Sequence, residues 1–186
     1  MRLEYATVAW NVLEVFVTIG LGIAAGSLAL IGFGLDSLVE IFASVVVLWH
    51  LRGAAGKERT QRALWLVAFA FFALAAVLLA GVVRDLVTSQ RAGESPFGIA
   101  YLAVTAVVMF SLAVAKRRSS VDLDNHPLSH EARVTLLDSA LATGILLALA
   151  VNAAFEWWWA DPLAAAGIAL VAISEGVAAP RHHDEL

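Results

Sequence analysis

The sequence of 186 residues contains no cysteine. That absence removes disulfides and thiolate metal sites, leaves carboxylates, histidines and amides as the available ligands, and leaves the redox compartment unread. Charge is nearly as scarce, at 15% of residues against 61% hydrophobic, and mean hydropathy is +0.82. A soluble domain of this size is excluded by so apolar a composition, and a lipid bilayer must be most of the solvent. No phosphate-binding loop, nucleophile triad or zinc-hydrolase motif is present, which argues against an enzyme.

What the sequence does contain is six apolar stretches of a length that crosses a bilayer, at about residues 7–28, 33–51, 62–83, 97–115, 132–154 and 161–178. The expected fold is an all-α membrane protein, a six-transmembrane-helix bundle forming a single domain over residues 1–186. The connections are short or charged, so the core is built between helices. A cleavable signal peptide is not expected, because the first stretch is long and carries Asn11 and Glu14 in place of a short clean core.

Basic residues sort by loop. Ten of them, Arg2, Arg52, Lys57, Arg59, Arg62, Lys116, Arg117, Arg118, Arg133 and Arg181, fall on one side, whereas Arg84 and Arg91 fall on the other. An excess of Lys and Arg marks cytosolic loops, which predicts both termini in the cytosol. This sorting accounts for the basic residues without nucleic acid, and the net charge of −4 adds little. Trp157, Trp158 and Trp159 between the last two stretches read as an interfacial aromatic belt.

The informative residues are acids inside apolar stretches: Glu14, Asp36, Glu40 and Asp138. A charge near the bilayer centre costs at least about 2.5–3.5 kcal/mol, so such residues face the bundle interior and usually serve transport. Apart from Arg62 and Arg133 at the very ends of their stretches, no Lys or Arg falls within them, so the acids require a cation or protons. Asp36 and Glu40 are four apart, which places both carboxylates on one helix face about 6 Å apart along the axis. In a site screened from water, one of the pair is expected to hold a proton until a divalent cation replaces it. That exchange is the physical basis of metal/proton antiport. The alternative is a protonated, hydrogen-bonded pair that holds helices together.

The segment from Gly26 to Ile41, GSLALIGFGLDSLVEI, resembles the first two helices of the cation diffusion facilitator family. The resemblance resumes from Leu137 to Gly176, where Asp138 is followed by Asp161-Pro162-Leu163-Ala164 opening the sixth helix. It implies that Asp36 and Glu40 match the paired helix-two ligands and Asp138 the helix-five acid. It also implies export of a divalent cation, zinc first with manganese or iron as alternatives, against protons, by a homodimer in a membrane taken by default to be a bacterial inner (plasma) membrane. The family's usual helix-five histidine corresponds to Val134. The site would then be completed by water, Glu131, Asn11 or Glu14, and an all-oxygen set would suit manganese or magnesium. About eight residues follow the sixth stretch in place of the family's cytosolic domain, so dimerisation is expected within the membrane. Gly22 and Gly26 fit either a dimer contact or packing within one subunit.

Other functions remain open on the residues alone: a non-transporting membrane partner that has lost part of a metal site, or a proton-coupled transporter of small organic cations. Glu131 reads as a ligand at the mouth of the pathway or a solvated acid. Asp122, Asp124, Asn125, His126 and His130 read as a polar loop that caps a helix, or as a metal-collecting loop. His50 reads as interfacial. His182-His183-Asp184-Glu185-Leu186 read as a cytosolic tail in which the retention-signal letters are chance and the paired histidines offer weak metal capture. Adjacent Arg84 and Asp85 read as surface residues that need not pair.

Overall fold

The computed structural model describes residues 2–51, 57–122 and 126–179, with side chains described for 7–46, 61–120 and 132–179. The chain forms six helices: α1 Arg2–Ala25, α2 Leu28–Leu51, α3 Lys57–Thr88, α4 Pro96–Asp122, α5 His126–Phe155 and α6 Ala160–Ala178, and no strand occurs among the described residues. Each contains an apolar stretch long enough to cross a membrane, the shortest being 19 residues, or about 28 Å at 1.5 Å per residue. Phe16, Phe69 and Phe97 are 75%, 72% and 79% exposed. Surfaces of this kind face lipid rather than water, and the protein is an integral membrane protein of six spans.

The boundaries differ from expectation where the sequence looked polar. α1 ends at Ala25 rather than near residue 28, and α3, α4 and α5 run beyond their apolar stretches. A helix continues through charged residues once it leaves the bilayer, because its backbone bonds need no apolar side chains. The expected polar loop over residues 122–130 is therefore mostly helix, since α4 reaches Asp122 and α5 starts at His126. The side chains of His50, Asp122, Asp124, Asn125, His126, His130 and Glu131, and the tail from His182 to Leu186, lie outside the described residues.

α2 is the hub: it packs against α1, α3, α5 and α6, while α4 lies along α5 and α3 along α6. Phe33 and Leu30 of α2 meet Leu78 of α3 and Ile168 of α6 in one buried cluster. Glycine makes the approach possible. A Cβ at Gly22 would lie 2.7 Å from Ile31 Cγ1 and 2.8 Å from the Ile31 backbone nitrogen. Gly22 therefore packs α1 onto α2 within one subunit, which decides against the dimer-contact alternative for it. Gly26 has φ +64, and the Gly26 and Ser27 amides donate to Ile23 and Gly22 carbonyls at 3.3 and 2.9 Å. This is a Schellman ending, and it needs the left-handed backbone that glycine adopts freely.

The turn after Gly26 is locked from the far end of the chain. Asp161 in the first turn of α6 is 1% exposed. Its carboxylate accepts bonds from Ser27 Oγ at 2.5 Å, Leu28 N at 2.8 Å and Ala29 N at 3.3 Å. The free amides at the start of α2 are thus capped by a residue 133 positions away in sequence. At α4, Ser95 is the N-cap before Pro96, its hydroxyl accepting from Gly98 N at 3.2 Å. Arg84 and Asp85 do pair, contrary to expectation, with Arg84 Nε donating to Asp85 Oδ1 at 2.8 Å. Asp85 is buried and Arg84 exposed, so the long side chain folds back over its neighbour.

Replacing Asp161 by Ala is expected to destabilise the fold by about 2–3 kcal/mol, because two helix amides and the Ser27 hydroxyl lose a buried acceptor. Thermal unfolding in detergent would read this as a lower midpoint, with Ser27→Ala giving a smaller drop in the same direction.

Candidate metal centre

Three helices bring the sequence-predicted acids together. α1 carries Asn11 and Glu14, α2 carries Asp36 and Glu40, and α5 carries Asp138. Glu14, Asp36 and Asp138 are buried, as is Asn11, and Glu40 is partly buried. Every pairing among the four carboxylates is close enough for electrostatic interaction. The Glu40 and Asp138 carboxyl groups also face each other between α2 and α5 within reach of a hydrogen bond. Two carboxyl groups form such a bond only when one of them holds a proton.

The cluster is positioned by neutral donors. Asn11 Nδ2 donates to Glu40 Oε2 at 3.0 Å, tying α1 to α2. The Ser37 hydroxyl donates to Glu14 Oε1, and a three- or four-residue spacing sets Phe33, Ser37 and Glu40 along the same α2 face. Thr18 Oγ1 donates to the Glu14 carbonyl at 2.7 Å, keeping that hydroxyl inside α1. Among the described residues, no group of three or more His, Asp or Glu side chains stands in ligating geometry around one point. The acids are gathered but not drawn tight around an ion.

Two residues near the cluster escaped the sequence reading. Lys116 was assigned to a loop, yet α4 continues through it and the side chain is 1% exposed. Its Nζ donates to Thr135 Oγ1 at 3.2 Å, one turn of α5 before Asp138, and its charge acts on the Asp138 carboxylate. The acids are therefore not without a basic neighbour. The signal was present: Leu102, Thr105, Met109, Ala113, Lys116 and Ser120 are buried at three- and four-residue steps along α4, so Lys116 continues the inward stripe of the helix. Glu175 of α6 is partly buried and acts electrostatically on Asp36. It lay within the sixth apolar stretch and belonged with the other embedded acids.

The available donor set is carboxylate and amide oxygen, with Val134, partly buried, where a histidine would supply nitrogen. Oxygen donors with excess negative charge suit a hard dication, and zinc accepts carboxylates at about 2.0–2.2 Å as well. Six spans enclosing a buried acidic cluster define a membrane transporter of cations. The profile of the cation efflux transmembrane domain matches residues 5–180, so the chain belongs to the cation efflux family, whose members are metal cation transporters rather than enzymes and carry divalent metal ions as substrate. No curated protein matches the chain.

Lys116→Met keeps the apolar stem and removes the positive charge beside Asp138. It is expected to tighten divalent-cation binding by about five- to tenfold, measured by calorimetric titration in detergent, since a nearby like charge opposes the incoming ion.

Proposed function

We propose that the protein exports a divalent cation from the cytosol in exchange for protons, with Asp36, Glu40 and Asp138 as ligands. Zinc is the first candidate, and manganese and iron are the alternatives that an oxygen-rich set admits. Asn11 orients Glu40, and Glu14 adds negative charge from α1. Glu131 stands as a further acid on α5 for a role at the mouth of the pathway.

The observation that carries this reading is the close approach of the Glu40 and Asp138 carboxyl groups across α2 and α5, near enough to share a proton. A dication arriving between these groups displaces the proton that joins them, so metal uptake and proton release are one event. α2 and α5 touch over only a short stretch, which suits a pair of helices that separate and close as access alternates. The excess of basic residues on one side supports a topology with both termini in the cytosol. The working unit is taken to be a homodimer within a bacterial inner membrane.

A second reading, transport of a small organic cation, draws on an apolar groove of about 490 Å³ lined by Val17, Gly20, Leu21, Phe97 and Tyr101. Reconstituted protein separates the two. Zinc, manganese or iron is expected to drive proton flux, and Asp36→Ala or Asp138→Ala is expected to reduce it at least about a hundredfold. Unchanged flux in both variants rejects the site. Absence of heat and proton release with all three metals, in folded wild-type protein, favours a non-transporting role.

A further inference from the structure

Lys116 is one of two lysines in the chain, with Lys57 the other. It is 1% exposed, although Arg117 and Arg118, which follow it on α4, are exposed. A lysine near the end of a membrane helix ordinarily reaches outward and leaves its ammonium at the polar boundary. Lys116 reaches the other way. α4 and α5 are joined by a short connection and pack along one another, so they run antiparallel. A helical side chain leans toward the N-terminus of its own helix. Lys116 on α4 therefore leans into the bilayer, and Asp138 on α5 leans back toward Thr135 and the lysine.

The Lys116 ammonium donates to the Thr135 hydroxyl at 3.2 Å, and Thr135 is itself buried. Asp138 stands three residues further along α5, a spacing that sets Cβ atoms about 5–6 Å apart on one helix face. The carboxylate thus lies one turn beyond the hydroxyl, and the charge of Lys116 is felt there. Of these two acceptors the carboxylate is the stronger for an ammonium, since it brings opposite charge where the hydroxyl brings a dipole. Lysine carries a compact charge on a flexible four-carbon stem, which can shift from one acceptor to the other. An ammonium on Asp138 would take the place and balance the charge that a metal ion needs.

We propose that Thr135 is a positioning residue that parks the Lys116 ammonium one turn short of Asp138 and so keeps that carboxylate open to a divalent cation. Lys116 is then a tethered competitor of the ion, held off by a hydroxyl. A positive charge parked nearby weakens the hold on the ion without blocking it, which suits a site that must also let the ion go. The inference rests on the exchange reading in taking Asp138 as a ligand, whereas the placement of the ammonium is tested apart from it.

Thr135→Val nearly keeps the shape of the side chain and removes the hydroxyl. It is expected to weaken divalent-cation binding about fivefold, by calorimetric titration with zinc, manganese or iron in detergent, because the ammonium closes on Asp138. In a Lys116→Met background the same substitution is expected to change affinity by less than about twofold, and Thr135→Ser is expected to stay within about twofold of the wild type. Equal losses in both backgrounds, or no loss in either, overturn the proposal. Nuclear magnetic resonance of the lysine nitrogens supplies a readout without metal. With two lysines to label, Lys116→Met identifies the Lys116 ammonium signal by removing it. Asp138→Asn is expected to displace that signal at least about threefold further in the Thr135→Val protein than in the otherwise wild-type chain. Equal displacement in the two overturns the parked ammonium. The expected displacement in a protein that binds none of the three metals retains the parked ammonium and rejects the exchange reading alone.

Discussion

Four carboxylates held in a low-dielectric interior set the terms for the rest of this molecule. Charge of one sign gathered away from water is stable only when protons or cations share the space. Glu14, Asp36, Glu40 and Asp138 are within electrostatic reach of one another, and the surrounding helices are arranged to keep them so. α2 supplies two of the four and is also the helix most of the others pack upon. Its glycines bring the neighbours close: a Cβ at Gly32 would meet Leu78 of α3 at 2.9 Å and Ile168 of α6 at 3.2 Å. The Asp161 cap then fixes where α2 begins, and so the depth at which Asp36 and Glu40 sit.

Charges beyond the four carboxylates bear on the proposed site. Glu175 adds a fifth acid from α6 near Asp36, and Lys116 sets one ammonium beside Asp138. If all six groups were ionised, five negative charges and one positive would leave −4. A single dication halves that excess. The remainder must be held as protons or spread by polar contacts such as those from Asn11 and Ser37, so in the proposed exchange electrostatics would tie metal and proton occupancy together.

The arrangement of neutral donors separates the acids by character. Glu40 and Asp138 engage one another across α2 and α5, whereas Glu14 accepts from Ser37 and lies within hydrogen-bond reach of Trp10. Glu14 is thus held from α1 and α2, whereas Glu40 and Asp138 meet between α2 and α5.

The six spans and the acids Glu14, Asp36, Glu40 and Asp138 were legible in the sequence, because apolar length and the cost of embedding charge are properties of local composition. So was the shared face of Asp36 and Glu40, which follows from helical spacing alone. The burial of Lys116 was not drawn from its neighbours, since Lys-Arg-Arg reads as a loop until the inward stripe of α4 shows which of the three turns inside. Asp161 could be recognised as the start of a helix, but not as the cap of another helix 133 residues earlier. The stacking of Trp10 on Tyr101 across α1 and α4 was invisible for the same reason. One-dimensional sequence determines which residues can enter a membrane and at what price in charge, whereas only packing in three dimensions decides which buried polar groups meet which partners.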